Sequence, residues 1–173
     1  MRLFIALDLD HEDYFKQIQE RIPKDVKASF PKQFHLTLKF LGETDKKDLI
    51  LDKLKNISFK PFVLKTTNIG FFPSDDYIKV VWLGLEGNDE LLKLQKQVEA
   101  QLKDFNFRKD HDFHPHITLA RIKFLSPDQK RDFVKLKDLE IESKEFQVEE
   151  FKLIKSELLP DGPVYEDVEV FKA

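Results

Sequence analysis

The chain of 173 residues contains no cysteine. Disulfide staples, cysteine-ligated zinc, iron–sulfur clusters and thiol catalysis are therefore excluded. Nor is either charge in excess: 29 Lys and Arg stand against 32 Asp and Glu, a formal net charge of −3. Proteins that coat nucleic acid are strongly basic, so this balance argues against that class. A small basic cleft is still allowed, because net charge says nothing of local distribution. Long apolar runs are missing too, falling far short of the roughly 20 residues a membrane span needs. Met1 to Asp8 lacks the apolar length and the small-residue cleavage site of a signal peptide. A soluble, cytoplasmic protein without membrane contact is the expectation, and the sequon Asn56-Ile57-Ser58 then carries no meaning. What is plentiful is phenylalanine, 17 residues within an apolar content of 41%, ample for a core. At roughly 100–200 residues per domain, the length suits one compact domain or two small lobes sharing a core.

Hydrophobic periodicity divides the chain into strands and helices. Leu3 to Leu9 reads as a buried strand, and Asp10 as the cap of a helix carrying Phe15, Ile18 and Ile22 before Pro23. Phe34 to Leu41 alternates as a strand that stops at Gly42, after which Thr44 caps a helix with Ile50, Leu54 and Ile57 on one face. Phe62 to Thr67 and Ile69 to Phe72 read as strands, Pro73 to Asp76 as a turn, and Ile78 to Leu85 as another strand. From Asn88 the helical signal is strongest, with Leu91, Leu94, Val98 and Leu102 in a stripe. His116 to Ile122 is again a strand, and Ser126-Pro127-Asp128-Gln129 is a capping box with proline at the first helical position. Phe146 to Leu153 and Val164 to Phe171 read as closing strands around the turn Pro160 to Pro163.

The order repeats. Strand, helix, strand with His-x-Thr, helix, strand runs once from residue 3 and again from residue 78. Ile5 precedes His35 by 30 residues and Trp82 precedes His116 by 34, which indicates an internal duplication with halves of about 1–77 and 78–173. Helices alternating with strands give a layered α/β or α+β domain, and two related lobes facing each other leave a cleft for a ligand.

The informative feature is His35-Leu36-Thr37-Leu38 and its echo, His116-Ile117-Thr118-Leu119. On a strand, alternate side chains share a face, so each strand anchors through two aliphatics and presents an imidazole beside a hydroxyl. Two such strands would gather two imidazoles and two hydroxyls in one cleft, a set suited to attack on phosphorus. One neutral histidine takes a proton from water while a protonated one gives a proton to the departing oxygen. The threonine hydroxyls donate to non-bridging phosphate oxygens, where charge gathers in the transition state. Arg121 lies five residues after His116, on the opposite face by strict alternation, and reaches phosphate only if the strand bends or ends there. A single His-x-Thr on a strand is ordinarily structural. Two of the five histidines, each in His-x-Thr-Leu at equivalent places of a duplicated half, point to catalysis.

These residues resemble the two-histidine (2H) phosphoesterases, most closely the RNA 2′,3′-cyclic phosphodiesterase branch historically called 2′-5′ RNA ligases. The resemblance covers essentially the whole chain: Met1 to Leu7, Phe34-His35-Leu36-Thr37-Leu38-Lys39-Phe40-Leu41-Gly42-Glu43, Phe113-His114-Pro115-His116-Ile117-Thr118-Leu119-Ala120-Arg121, and the tail Ser156-Glu157-Leu158 with Pro160, Gly162-Pro163 and Tyr165. It implies a bilobal, duplicated α+β fold, with two antiparallel sheets lining a central cleft and helices outside. It also implies hydrolysis of terminal 2′,3′-cyclic phosphate to a 2′-phosphomonoester without metal or other cofactor, and weak reversible 2′-5′ ligation through the same site. Carried over by motif, His116 is the general base and His35 the general acid, Thr37 and Thr118 bind phosphate, and Arg121 adds to them. The halves are nearly equivalent, so the sequence itself does not say which histidine is acid and which is base. RNA ends bearing 2′,3′-cyclic phosphate or 2′-phosphate, and nucleotides, are the implied partners, with a monomer expected. The alternative is a non-catalytic nucleotide- or RNA-end-binding module with the same cleft.

The chain departs from the family at Ala28 and Phe30, where a Trp and a basic residue are frequent, and at Lys79, where arginine is frequent. Lysine cannot form a bidentate fork on phosphate. These departures bear on base stacking and RNA affinity; Phe30 or Phe34 is a substitute stacking face, with core packing the ordinary role of either. His111, His114 and His116 have a spacing that a metal can use, but no third ligand from the His35 strand is evident. His114 is read as a packing residue, His11 as a solvated one, Lys39 as lying on the His35 face, and Tyr165 as structural.

Overall fold

Phase breaks in the apolar pattern decide where each strand starts, stops and changes sheets. The computed structural model describes residues 1–109 and 112–173. In chain order the elements are β1 (Arg2–Asp8), α1 (Glu12–Gln19), β2 (Lys27–Ser29), β3 (His35–Glu43), α2 (Lys47–Leu54), β4 (Phe62–Pro73), β5 (Ile78–Leu85), α3 (Asp89–Leu102), β6 (His116–Phe124), α4 (Pro127–Val134), β7 (Glu145–Val148), β8 (Glu150–Leu159) and β9 (Gly162–Lys172). The strands form two sheets, β3-β1-β8-β9 and β2-β6-β5-β4-β7. Every pairing is antiparallel. This is the α+β, two-sheet architecture expected.

Neither sheet is built from one half of the sequence. β4 leaves the first half to pair with β5, and β8 leaves the second half to pair with β1. The two sheets are thus interlocked by an exchange of strands, and β3 and β6, the strands carrying His-x-Thr, meet between them. One continuous core joins Leu3, Ile5 and Leu7 of β1 with Phe15 and Ile18 of α1 and Ile117 and Leu119 of β6. The opposite face of β1, Phe4 and Ala6, is buried separately with Ile154 and lies against Tyr165.

α3 is the helix its stripe describes. The Asn88 side chain accepts from the N–H groups of Glu90 and Leu91, and Leu91, Leu94, Val98 and Leu102 are buried. The capping box at Ser126 and Gln129 forms with both reciprocal bonds. Other boundaries differ from expectation. His11, not Asp10, precedes α1, with a left-handed backbone and no side-chain cap. Thr44 accepts from the Lys46 N–H ahead of α2 and does not itself cap it. β3 runs through Gly42, whose φ of 72° suits glycine. The segments on either side of Asn68 form one long strand, β4, with an irregular register between Thr66 and Ile69. β2 was not expected, because three residues offer almost no period to read.

The segment from Phe146 to Leu153 is two strands in different sheets. Phe146 and Val148 are buried in β7, then Phe151 and Leu153 in β8. The adjacent Glu149 and Glu150 shift the alternation by one residue, and the chain crosses from β4 to β1 at that slip.

Trp82 is seated where glycine leaves room. A Cβ added to Gly70 would lie 2.2 Å from the Trp82 ring. Gly70→Ala should destabilise the fold by about 1–3 kcal/mol or more through overpacking. Urea unfolding followed by tryptophan fluorescence measures this, and an unchanged midpoint would show that the ring relocates freely.

Candidate active site

The two histidine strands share one irregularity. Along β1 and β3, Asp8 faces His35, Leu7 faces Leu36 and Ala6 faces Thr37, but Ile5 faces Lys39 and Phe4 faces Phe40, leaving Leu38 without a partner. Along β5 and β6, Gly84 faces His116, Leu83 faces Ile117 and Trp82 faces Thr118, but Val81 faces Ala120 and Val80 faces Arg121, leaving Leu119 unpaired. Each is a β-bulge, which reverses the alternation beyond it. The ladder counterpart of Trp82 in the first half is therefore Ala6, one residue beyond Ile5.

The bulge at Leu119 turns Arg121 onto the face of His116 and Thr118, which strict alternation denied it. The bulge at Leu38 does the reverse for Lys39. Expected on the His35 face, Lys39 instead points into the opposite side, is 4% exposed, and donates to both carboxylate oxygens of Glu99 at 2.9 Å. Phe40 takes the cleft-side position and stacks on Phe4, with the Arg2 guanidinium 5.1 Å from its ring centre.

His35 and His116 are half-buried, among different neighbours. His35 lies 4.9 Å from Phe4 and edge-on to Tyr165 at 5.2 Å between ring centres. Burial lowers its pKa to about 4; the Asp8 carboxylate opposes that shift and the Arg121 charge adds to it. His116 lies edge-on to Phe72 at 4.9 Å. Its pKa is also lowered, by burial first, with a hydrogen bond to the His114 carbonyl opposing and the charges of His114 and Arg121 reinforcing.

The His116 Nδ1 stands 2.7 Å from the His114 carbonyl oxygen. A carbonyl only accepts, so Nδ1 carries the proton and the neutral ring keeps its lone pair on Nε2. Arg121 acts on both histidines and on Tyr165. The bulge thus sets Arg121 on the face of His116 and Thr118, while Thr37 shares the face of His35 on the strand that meets β6.

His114 packs edge-on against Trp82 at 4.8 Å and against Phe72 at 5.4 Å, in keeping with a packing role. His111 lies outside the described residues. Among the described residues no group of three or more His, Asp or Glu is placed to hold a metal ion. Tyr165 borders the cleft beside His35. Phe34 is a core residue stacked on Phe15 at 5.1 Å, so it is not a stacking face for a ligand. Phe30 packs under the Lys24 ammonium at 3.7 Å, and Lys79 donates to the Lys123 carbonyl. His11 is exposed, as expected.

Residues that sequence reasoning passed over complete the walls. Lys152 lies 2.5 Å from Asp8 and 2.7 Å from Asp167. Trp82 keeps a buried Nε1 with no hydrogen-bond partner among the described residues. The signal for Asp8 was present, since it ends the first strand on the face opposite to Leu7; the signal for Lys152 and Asp167 needs the β8–β9 pairing.

A family model described as LigT like Phosphoesterase matches the chain twice, over residues 7–82 and 83–165. The chain is 37% identical over 180 residues to the RNA 2′,3′-cyclic phosphodiesterase of Archaeoglobus fulgidus, covering 99% of this chain and 100% of that one. It is 35% identical over 171 residues to the protein of the same name from Methanocaldococcus jannaschii, covering 96% and 97%. A crystal structure from Thermus thermophilus superposes with a TM-score of 0.81 at 28% identity, over 99% of this chain and 97% of that one. No described helix is long and apolar enough to cross a membrane.

Burying His35 with a lowered pKa has a thermodynamic consequence. Between the ordinary value of 6.5 and about 4, the unfolded chain binds a proton at this site and the folded chain does not. Stability should therefore fall as pH drops through that window, by up to roughly 3 kcal/mol from this residue. Denaturant titrations at pH 7 and pH 4 on the wild type and His35→Asn should show a smaller pH-dependent loss in the variant. Equal losses would mean that His35 titrates normally.

Proposed function

The chain belongs to the LigT-like phosphoesterase family, and on that premise we propose that it is an RNA 2′,3′-cyclic phosphodiesterase. It opens the terminal 2′,3′-cyclic phosphate of RNA to a 2′-phosphomonoester. The observation that carries this reading is the pair of His-x-Thr strands, β3 and β6, which meet between the sheets, with the bulge at Leu119 setting Arg121 on the face of His116 and Thr118. A phosphodiester anion bound there meets one cation and two imidazoles, with a threonine beside each.

His116 is the general base. Its Nδ1–H is tied to the His114 carbonyl, which leaves Nε2 to take a proton from water. As the water oxygen bonds to phosphorus, the bond from phosphorus to the 3′-oxygen breaks, and His35 protonates that oxygen. Thr37 and Thr118 donate hydroxyl hydrogens to the non-bridging oxygens while Arg121 balances their growing charge. The anion itself raises the proton affinity of both imidazoles, opposing the effect of burial. These groups supply every proton transfer, so the mechanism calls on no metal or other cofactor. With an RNA 5′-hydroxyl in place of water the same step joins two ends weakly: the 5′-oxygen bonds to phosphorus, the bond to the 3′-oxygen breaks, a 2′-5′ linkage results, and the reverse of that step cleaves it.

The near-neutral net charge of −3 suits a cytoplasmic monomer that grips one RNA end or a nucleotide in a local cleft. That substrate range is tested with oligonucleotides ending in 2′,3′-cyclic phosphate beside free cyclic nucleotides.

His35→Ala and His116→Ala should each lower kcat/KM by about 10²–10⁴, and the double variant by far less than the product. Full activity in either single variant would remove the acid–base pair. Tight binding of a nucleoside 2′-phosphate without turnover by the wild type would mark a binding module instead. Because burial lowers both histidines, the bell-shaped kcat/KM profile should sit on the acid side of 6.5. A chelator should leave the rate unchanged; loss restored by a divalent ion would point to a metal site.

A further inference from the structure

The duplicated halves match His35 with His116 and Thr37 with Thr118, yet the residues facing the two histidines differ in kind. Asp8 stands across the β1–β3 ladder from His35, while Gly84, with no side chain, stands across the β5–β6 ladder from His116. Directly opposed residues on one face of an antiparallel pair have Cβ atoms roughly 4.5–5.5 Å apart, within reach of a carboxylate.

Asp8 does not stand alone. Its Oδ2 lies 2.5 Å from the Lys152 ammonium, which also reaches Asp167 at 2.7 Å. Lys152 is largely buried, 14% exposed at its side chain, and its two carboxylate partners hold it in the charged form. Two aspartates around one lysine leave the group with one net negative charge. A cavity of about 250 Å³ brings Asp8, His35, Tyr165 and Asp167 together. The charged and titratable groups that bear on His35 are Asp8 from β1, Tyr165 from β9 and Arg121 from β6, with Asp167 of β9 lining the same cavity and Lys152 of β8 bound to Asp8. Asp10, His11 and Glu12 line the outer part of the cavity.

We propose that the Asp8 carboxylate, held across the β1–β3 ladder from His35 by Lys152 and Asp167, is the positioning residue that commits His35 to donating a proton. It rests on the phosphodiesterase reading above. The chemistry is one of opposed charges. Burial and Arg121 both disfavour an imidazolium at His35, and the Asp8 carboxylate is the group that favours one. Across the ladder from His116 stands Gly84, which has no carboxylate, and the fixed Nδ1–H leaves Nε2 as an acceptor. The symmetric pair is thereby given unequal tasks by its surroundings.

The test is a histidine-resolved NMR titration of the full chain, paired with kcat/KM on an RNA 2′,3′-cyclic end. In Asp8→Asn the His35 midpoint should move lower, with the His116 midpoint unmoved. kcat/KM should then fall by up to about tenfold for each pH unit of that movement, because above the midpoint the protonated fraction falls tenfold per unit. Asp8→Glu, which keeps the charge, should restore both. An unmoved His35 midpoint in Asp8→Asn, equal movement of both histidines, or a rate loss that Asp8→Glu shares would overturn the proposal. If the wild type fails to open cyclic phosphate, the phosphodiesterase reading falls, while the titration still decides whether Asp8 governs His35.

Discussion

Side chains alternate along a strand, so a residue five places after a histidine belongs to the opposite face unless the strand absorbs an extra residue. Leu119 is that residue in β6 and Leu38 is its counterpart in β3. Much of the cleft depends on these two bulges. Without the first, Arg121 would turn away from the face of His116 and Thr118. Without the second, Lys39 would enter the cleft and Phe40 would leave it. The same device works in opposite chemical senses on the two walls: one brings in a cation, the other removes one and ties it to Glu99.

The cleft sets burial against charge. Enclosing two imidazoles favours their neutral forms, and Arg121 reinforces that, so the protein's own groups lean toward two bases. An anionic phosphodiester reverses the balance by its own charge. The asymmetry between the walls then comes from what faces each histidine: a carboxylate at one, bare glycine and a backbone carbonyl at the other. Two sequence-equivalent residues acquire different surroundings through their neighbours rather than through their motifs.

Exchange of β4 and β8 between the sheets ties the two halves of the sequence together. Each wall is built from both parts of the chain, so the two halves of the sequence cannot separate without breaking the β1–β8 and β4–β5 ladders. Placing reactive side chains on paired strands rather than loops fixes their separation, as proton transfer demands. The packing of Trp82 against Gly70 shows how little slack that wall has.

Much of this was legible in the residues themselves. The two His-x-Thr-Leu strands, the stripe of α3 and the capping box of α4 rest on short-range periodicity, which a sequence carries directly. The family resemblance rests on the same motifs. Bulges were not legible, since Leu38 and Leu119 are ordinary aliphatics whose unpaired state exists only relative to a partner strand. The division of Phe146 to Leu153 between two sheets left only the trace of two adjacent glutamates. The location of Lys39, the reach of Arg121 and the Asp8–Lys152–Asp167 group likewise depend on which strands pair and in what register. The sequence by itself determined which chemical groups are available and roughly how they repeat. Only the tertiary structure decided which of them face one another, because facing is set by long-range strand pairing, and one unpaired residue is enough to reverse it.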